Sequence, residues 1–213
     1  MFKNRIDAAL QLTERLMKYK NEKGVVLAIP KGGVPIGYIV SKALNMPMGL
    51  VMSKKIGHPV NKEFAIGSVG LHGVIINGDA QVTEEYLKKE IKSIRNQLKE
   101  NYKKFLGGKR PVKLKNKMVI IVDDGAATGS TLLTTIKEVS KMDPKKIIAA
   151  IPVGSEDALA RIKSSVDELV YLDSPKSFYS VSGSYKEFEQ VTEEQVQKWL
   201  NKTKDENQLV HLK

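Results

Sequence analysis

The stretch MVIIVDDGAATGST, Met118 to Thr131, limits what this chain can fold into more than any other. Val119 to Val122 are apolar and run straight into Asp123 and Asp124. Gly125, Ala126 and Ala127 follow, then Thr128, Gly129, Ser130 and Thr131. A short, wholly apolar run bounded by a loop signal predicts a parallel strand buried on both faces. The next residues, LLTTIKEVSKM, have helical spacing. The unit is therefore strand, tight loop, helix. In open α/β sheets ligands bind beyond the carboxyl ends of strands, and loop amides at a helix N-terminus suit a phosphate. Two acids next to a phosphate need another partner, such as a sugar diol or a metal-bound diol.

The rest of the chain supplies the other strands. Phe2, Ile6, Leu10, Thr13, Leu16 and Met17 give an opening amphipathic helix. Val25 to Ile29 is a short buried strand ending in PKGG, Pro30 to Gly33, and Pro35 suits the first turn of a helix to about Leu44. Gly49 to Lys55 reads as a second strand whose end turns basic. Ile56 to Phe64 reads as a mobile loop, and Ala65 to Gly78 as a strand pair turning near His72 and Gly73. Thr83 caps a helix with Glu84 and Glu85 in its first turn. Leu87, Ile91, Ile94, Leu98 and Phe105 line one face of it, and Gly107-Gly108 ends it. Its stripe should pack on the domain or on a second subunit. Its lysines, with Arg95, form a basic face that reads first as solvated surface. Lys145 to Ile151 and Glu168 to Leu172 are further strands around a helix near Ser155 to Ser165. Ser174 to Phe188 is irregular and aromatic. Thr192 with Gln195 opens a closing helix, and the polar tail after Asn201 is expected to fray. Strands alternating with helices predict one parallel α/β domain over 1–213, with a helical insertion at 83–108 and a small hood at 174–201.

Composition removes several classes of chemistry. Without cysteine there are no disulfides, thiolate metal sites or cysteine nucleophiles, and His58, His72 and His211 are scattered. No apolar run reaches membrane-spanning length and MFKNRIDAALQ lacks a signal-peptide core, so a cytoplasmic protein without membrane contact is expected. The formal net charge of +11 suits a polyanionic ligand, either a phosphorylated small molecule or nucleic acid, although a lysine-rich surface accounts for most of it. The central loop is not a Walker A loop, since no Lys follows its glycine, and it has no GxGxxG. Helix capping alone would explain one hydroxyl and neither acid.

Four apolar residues, two acids and GxxTGST resemble the phosphoribosyl-diphosphate signature of type I phosphoribosyltransferases. PKGG resembles that family's diphosphate loop, and SKKIGHP, Ser53 to Pro59, the arm leading to its flexible catalytic loop. From Pro30 to Val196 the chain is similar to a poorly characterised subgroup sharing the IG-x-P loop and an F-x-QVT segment. The resemblance implies a type I fold: a parallel sheet flanked by helices, an antiparallel flexible-loop arm, an inserted helix and a C-terminal hood. It implies that Asp123 and Asp124 hold the ribose hydroxyls and, through the diol or water, a Mg2+ ion. Gly125 and the stretch Ala126, Ala127, Thr128, Gly129, Ser130, Thr131 would wrap the 5′-phosphate. Lys31, Gly32 and Gly33 would face the diphosphate, next to an unusual cis peptide, with Lys54 and Lys55 neutralising it. His58 or Lys62 would serve the leaving group.

The activity implied is Mg-dependent transfer of ribose 5-phosphate from phosphoribosyl diphosphate to a nucleobase-like nitrogen, a salvage reaction, by a homodimeric enzyme. Phe178 or Tyr179 would stack on the base. Ala127 stands where hypoxanthine-guanine members carry an acid, which matches adenine-type members better. The alternative is a sensor of phosphoribosyl diphosphate or a nucleotide that acts on RNA or DNA. It is motivated by the charge and the basic helix, and the absence of any helix-turn-helix signal counts against it.

Overall fold

The computed structural model describes residues 1–62, 64–71, 73–76, 81–107, 111–205 and 209–212. In chain order the elements are α1 (Arg5–Leu16), β1 (Gly24–Ala28), α2 (Gly33–Leu44), β2 (Met48–Leu50), β3 (Ser53–Gly57), β4 (Ala65–Gly70), β5 (Val74–Ile76) and α3 (Glu84–Leu106). Then come β6 (Pro111–Val112), β7 (Met118–Val122), α4 (Ser130–Ser140), β8 (Lys146–Val153), α5 (Glu156–Lys163), β9 (Glu168–Asp173), α6 (Glu193–Asp205) and β10 (Leu209–Leu212).

Seven strands form one sheet in the order β6-β10-β2-β1-β7-β8-β9, and every pair in it is parallel. The alternation of a strand divides its apolar residues between two cores. Val26, Ala28, Ile120 and Val122 pack with Leu12 of α1, Val40 of α2, Leu98 of α3 and Leu200 of α6. Val25, Leu27, Val119 and Ile121 pack with Leu132 and Ile136 of α4 and Ile162 of α5. Both faces of β1 and β7 are thus covered, which is why neither strand carries a polar residue.

The stretch Gly49 to Lys55, expected as one strand, is two. β2 ends at Leu50, buried Val51 and Met52 form a link, and β3 begins at Ser53 in a separate antiparallel sheet β3-β4-β5. Each half has its own partner, β1 for the first and β4 for the second. Ile56 and Gly57, expected in the loop, belong to β3, and Ile56 is fully buried, so the candidate lid starts at His58. The turn expected near His72, and Gly78 and Gly108, fall outside the described residues; the described part of the strand pair is β4 and β5.

α3 forms as its pattern requires. The Thr83 side chain accepts the Tyr86 N–H, and Gly107 closes the helix at φ +53°. Its buried stripe, Ile94, Leu98, Tyr102 and Phe105, joins this chain's own core. The described residues of the tail stay with the fold. α6 runs to Asp205, and β10 lies between β2 and β6. Its four residues, LVHL, are a short strand signal masked by the polar run before them.

A polar cluster ties the turn after α1, Met17–Tyr19, to the strand edge. Glu168 on β9 accepts hydrogen bonds from Lys18 (2.7 Å), Lys146 (2.9 Å) and the Tyr19 hydroxyl. Burial pushes its carboxyl up, but these three donors outweigh that and hold it at about 2, against an ordinary 4.5. A depressed carboxyl adds stability above its unfolded value and loses it as pH falls toward its folded value. Glu168→Gln should therefore cost about 1–2 kcal/mol at pH 7, discounting for partial exposure. In thermal melts at a series of pH values, the deficit should fade between 4.5 and 2.

Candidate active site

The site lies at the carboxyl ends of β1 and β7. The peptide bond between Pro30 and Lys31 is cis, and Gly32 and Gly33 follow it at the start of α2. The two glycines roof the acid pair. A Cβ on Gly32 would strike the Asp124 carboxylate, and one on Gly33 would sit 2.7 Å from the Val122 carbonyl oxygen and 3.0 Å from the Asp123 Cα. Their small size is needed for this close approach. Gly32 has an ordinary helical backbone, φ −63° and ψ −33°, so its identity is not a matter of conformation.

Asp123 and Asp124 are unlike one another. The Asp123 Oδ1 accepts the Asp124 backbone N–H at 2.9 Å. Burial, and then the charge of Asp124, push the Asp123 carboxyl well above the usual carboxylate range. Burial also raises Asp124, opposed by Arg5. The Arg5 Nε and Nη2 both lie 2.8 Å from Asp124 Oδ2.

The loop after the acids has its carbonyls tied to the protein. Ala126 O accepts the Ser155 N–H (3.0 Å), Ala127 O the Ser155 hydroxyl (2.7 Å), Thr128 O the Arg161 Nη1 (3.3 Å) and Gly129 O the Leu133 N–H (2.8 Å). In a trans peptide the N–H points opposite to its carbonyl. The amides of 127–129 are thereby turned to the other side, as a nest for an anion. Gly129, at φ +69°, makes the turn into α4. The Thr128 and Ser130 hydroxyls lie 3.0 Å apart. A cavity of about 200 Å³ is lined by Asp123, the whole loop 125–132 and Lys55. It adjoins a cleft of about 930 Å³ between the β3-β4-β5 arm and α4, into which Lys54, Lys55, Lys137 and Arg161 contribute positive charge.

The expected residues do not all converge. Lys55 lines the same cavity as the loop 125–132. Lys54, its neighbour along β3, lines the large cleft and donates to Gln97 Oε1 of α3 at 2.5 Å. Lys31 is exposed beside the glycine roof. His58 closes its own loop: its Nδ1 accepts the Val60 N–H at 3.2 Å and its ring lies 6.2 Å from that of Phe64. Lys62 is tethered to α3 through the Tyr86 hydroxyl (2.7 Å) and Glu90 (3.4 Å), while the Tyr86 hydroxyl donates to Gly57 O at 2.6 Å. Phe178 and Tyr179 line a separate hood pocket of about 260 Å³ with Met1 and Asp173, which shares no residue with the cavity over Asp123. Phe178 packs into the hood cluster, and Tyr179 is 93% exposed.

Other hood residues touch the loop instead. Val181 lies over Gly125, where a Cβ would come within 2.7 Å of it, and the Tyr185 hydroxyl donates to Asp124 O at 2.6 Å. Arg5, Val181 and Tyr185 are the site residues that sequence reasoning misses. Only the dense aromatic spacing of 178–188 hints at the last two.

The model of the phosphoribosyl transferase domain matches residues 2–185, which include the glycine roof, the acid pair, the nest and the first part of the hood. The chain belongs to the phosphoribosyl transferase domain family. Two Mycobacterium tuberculosis proteins named as putative phosphoribosyl transferases are 32% identical to it over 207 residues, which is 95% of this chain and 47% of theirs. The chain thus spans about half the length of these curated relatives. The crystal structure of TT1426 from Thermus thermophilus superposes with a TM-score of 0.80 at 32% identity, covering 94% of this chain and 98% of that one. A hypothetical protein from Neisseria gonorrhoeae, solved with bound ppGpp, shares the fold at 13% identity and a TM-score of 0.51, over 97% and 98% of the two chains. No helix among the described residues of this phosphoribosyl transferase domain is long and apolar enough to cross a membrane.

Proposed function

We propose that this phosphoribosyl transferase domain moves ribose 5-phosphate from phosphoribosyl diphosphate to a nucleobase-like nitrogen, releasing diphosphate. The observation that carries the proposal is a single cavity lined by Asp123, the entire nest 125–132 and Lys55, next to an acid pair against which Gly32 and Gly33 pack closely. A ribose 5-phosphate needs hydroxyl acceptors at one end and an anion nest at the other; the cavity offers the Asp123 carboxylate and the nest, while Asp124, next in the chain, does not line it. Lys55, with Lys31 at the edge of the roof, gives the leaving diphosphate cationic partners where charge develops. The loop from His58 to Phe64, tethered to α3 by the Lys62–Tyr86 hydrogen bond, would be the element that closes to exclude water.

No group of three or more His, Cys, Asp or Glu that could cage a metal occurs among the described residues. Two adjacent carboxylates fit Mg2+ in its usual setting, where substrate phosphates and waters complete the shell. Asp123 and Asp124 would hold it through the diol or water. When bound, Mg2+ would neutralise charge on the diphosphate.

The alternative, a sensor acting on RNA or DNA, has a weaker footing. The basic face of α3 is partly neutralised, since Lys88 pairs with Glu84 at 3.1 Å and Lys104 with Glu193, and Arg95 is half-buried. Incubation with phosphoribosyl diphosphate, Mg2+ and a panel of bases should give diphosphate release that depends on one class of base. Donor binding with no base-dependent release, together with salt-sensitive RNA binding weakened by Lys92→Glu and Lys99→Glu, would favour the sensor.

A further inference from the structure

The N-terminal helix sets a side chain against the ribose half of the site. Phe2 to Asn4 run beside the hood as a short ladder: Phe2 N–H to Ser184 O (2.8 Å), Lys186 N–H to Phe2 O (2.9 Å) and Glu187 N–H to Lys3 O (2.9 Å). Asn4 then caps α1 by accepting the N–H groups of Ile6 and Asp7, both at 3.1 Å. Arg5 is thereby fixed at the first helical position with its side chain 11% exposed. Its guanidinium carbon lies 3.8 Å from the Phe188 ring centroid. Nη1 donates to Glu189 O at 2.6 Å, and Nε and Nη2 both hold Asp124 Oδ2. The Tyr185 hydroxyl holds the backbone of the same residue.

From this geometry we infer that Arg5 is a positioning residue for the ribose site, and that it ties the docked hood to the orientation of Asp124. The inference rests on the reading of the acid pair as the diol acceptor. By engaging Oδ2 alone, Arg5 fixes the carboxylate rotamer and presents Oδ1 to a ribose hydroxyl. A planar fork stacked on an aromatic ring does this; an ammonium on a flexible stem makes neither the fork nor the stack. Its effect is therefore orientation and not charge alone.

The test uses titration calorimetry with two probes, ribose 5-phosphate and inorganic phosphate, on the whole chain. Phosphate reports the nest, and ribose 5-phosphate reports the nest plus the diol end. Arg5→Ala and Arg5→Lys should each raise the Kd for ribose 5-phosphate by about tenfold, with the phosphate Kd within about twofold of wild type. Phe188→Leu, which removes the stacking platform and the ring contact with Tyr185 but leaves the guanidinium in place, should raise the ribose 5-phosphate Kd by about threefold. In turnover assays the loss should appear in KM for the donor more than in kcat. Wild-type affinity in Arg5→Lys would show that charge alone suffices and would overturn the inference. So would equal or tighter binding of ribose 5-phosphate in Arg5→Ala. If the wild-type protein binds phosphate but ribose 5-phosphate no more tightly, the diol reading itself fails, and the role of Arg5 with it.

Discussion

Replacing Asp123 and Asp124 together by Asn is expected to lower kcat/KM for phosphoribosyl diphosphate by about 10²–10⁴-fold in a protein that still folds. Each ribose hydroxyl would exchange a carboxylate acceptor for a neutral amide. Hydrogen bonds to charged groups contribute about 1.5–3 kcal/mol each, and each 1.4 kcal/mol is about tenfold. Stability should move the other way for Asp123→Asn alone. The fold holds the Asp123 carboxyl well above its ordinary 3.8, through burial and then the charge of Asp124. The native state thus favours ionisation less than the unfolded chain does, and ionisation at pH above the unfolded value costs stability. Asn removes that cost, and its Oδ1 can still accept the Asp124 N–H that Asp123 accepts. The variant should melt at or above the wild-type temperature at pH 7, with the difference vanishing below the ordinary carboxylate value. Retained turnover with a lower melting temperature would assign the acids to the fold and not to the substrate.

Gly32→Ala is expected to reduce donor affinity by about 100-fold, with the secondary structure intact by circular dichroism. The backbone at 32 is already helical, and on conformational grounds alone Ala would be welcome there. The added methyl would collide with the Asp124 carboxylate. That side chain must then rotate, and it cannot do so without leaving Arg5. Gly33→Ala meets backbone atoms of Val122 and Asp123, which cannot give way as a side chain can. It should destabilise the fold by about 1–3 kcal/mol. Chemical denaturation separates the two: affinity falls in the first variant, stability in the second. Wild-type donor binding by Gly32→Ala would show that the roof does not constrain the acids.

What the sequence disclosed was mainly local. The unit from Met118 to Ser140 was legible because a strand buried on both faces has to be apolar throughout, and because its loop concentrates acids, hydroxyls and a glycine that adopts φ +69°. α3 was legible from 23 residues of one period with a cap at each end. The split of 49–55 into β2 and β3 was not, because one continuous run serves two sheets and only its partners reveal the break. β10 was hidden by the polar residues before it. Arg5 lies 119 positions from Asp124, and no spacing rule connects a helix-capping turn to a strand end so far away. The aromatic density of the hood was visible, but not that Tyr185, rather than Phe178 or Tyr179, hydrogen-bonds to the acid-pair backbone. That choice depends on the ladder between 2–4 and 184–187.

The most direct measurement of the central claim is a crystal structure of the protein with ribose 5-phosphate bound. The phosphate is expected among the amides of 127–129 and the hydroxyls of Thr128 and Ser130, with the 2′- and 3′-hydroxyls within hydrogen-bond distance of Asp123 and Asp124. The C1 atom should then face Lys31 and Lys55. A sugar held elsewhere, or a phosphate in the nest with its diol turned away from both acids, would contradict the assignment of this loop as the ribose 5-phosphate half of a transferase site.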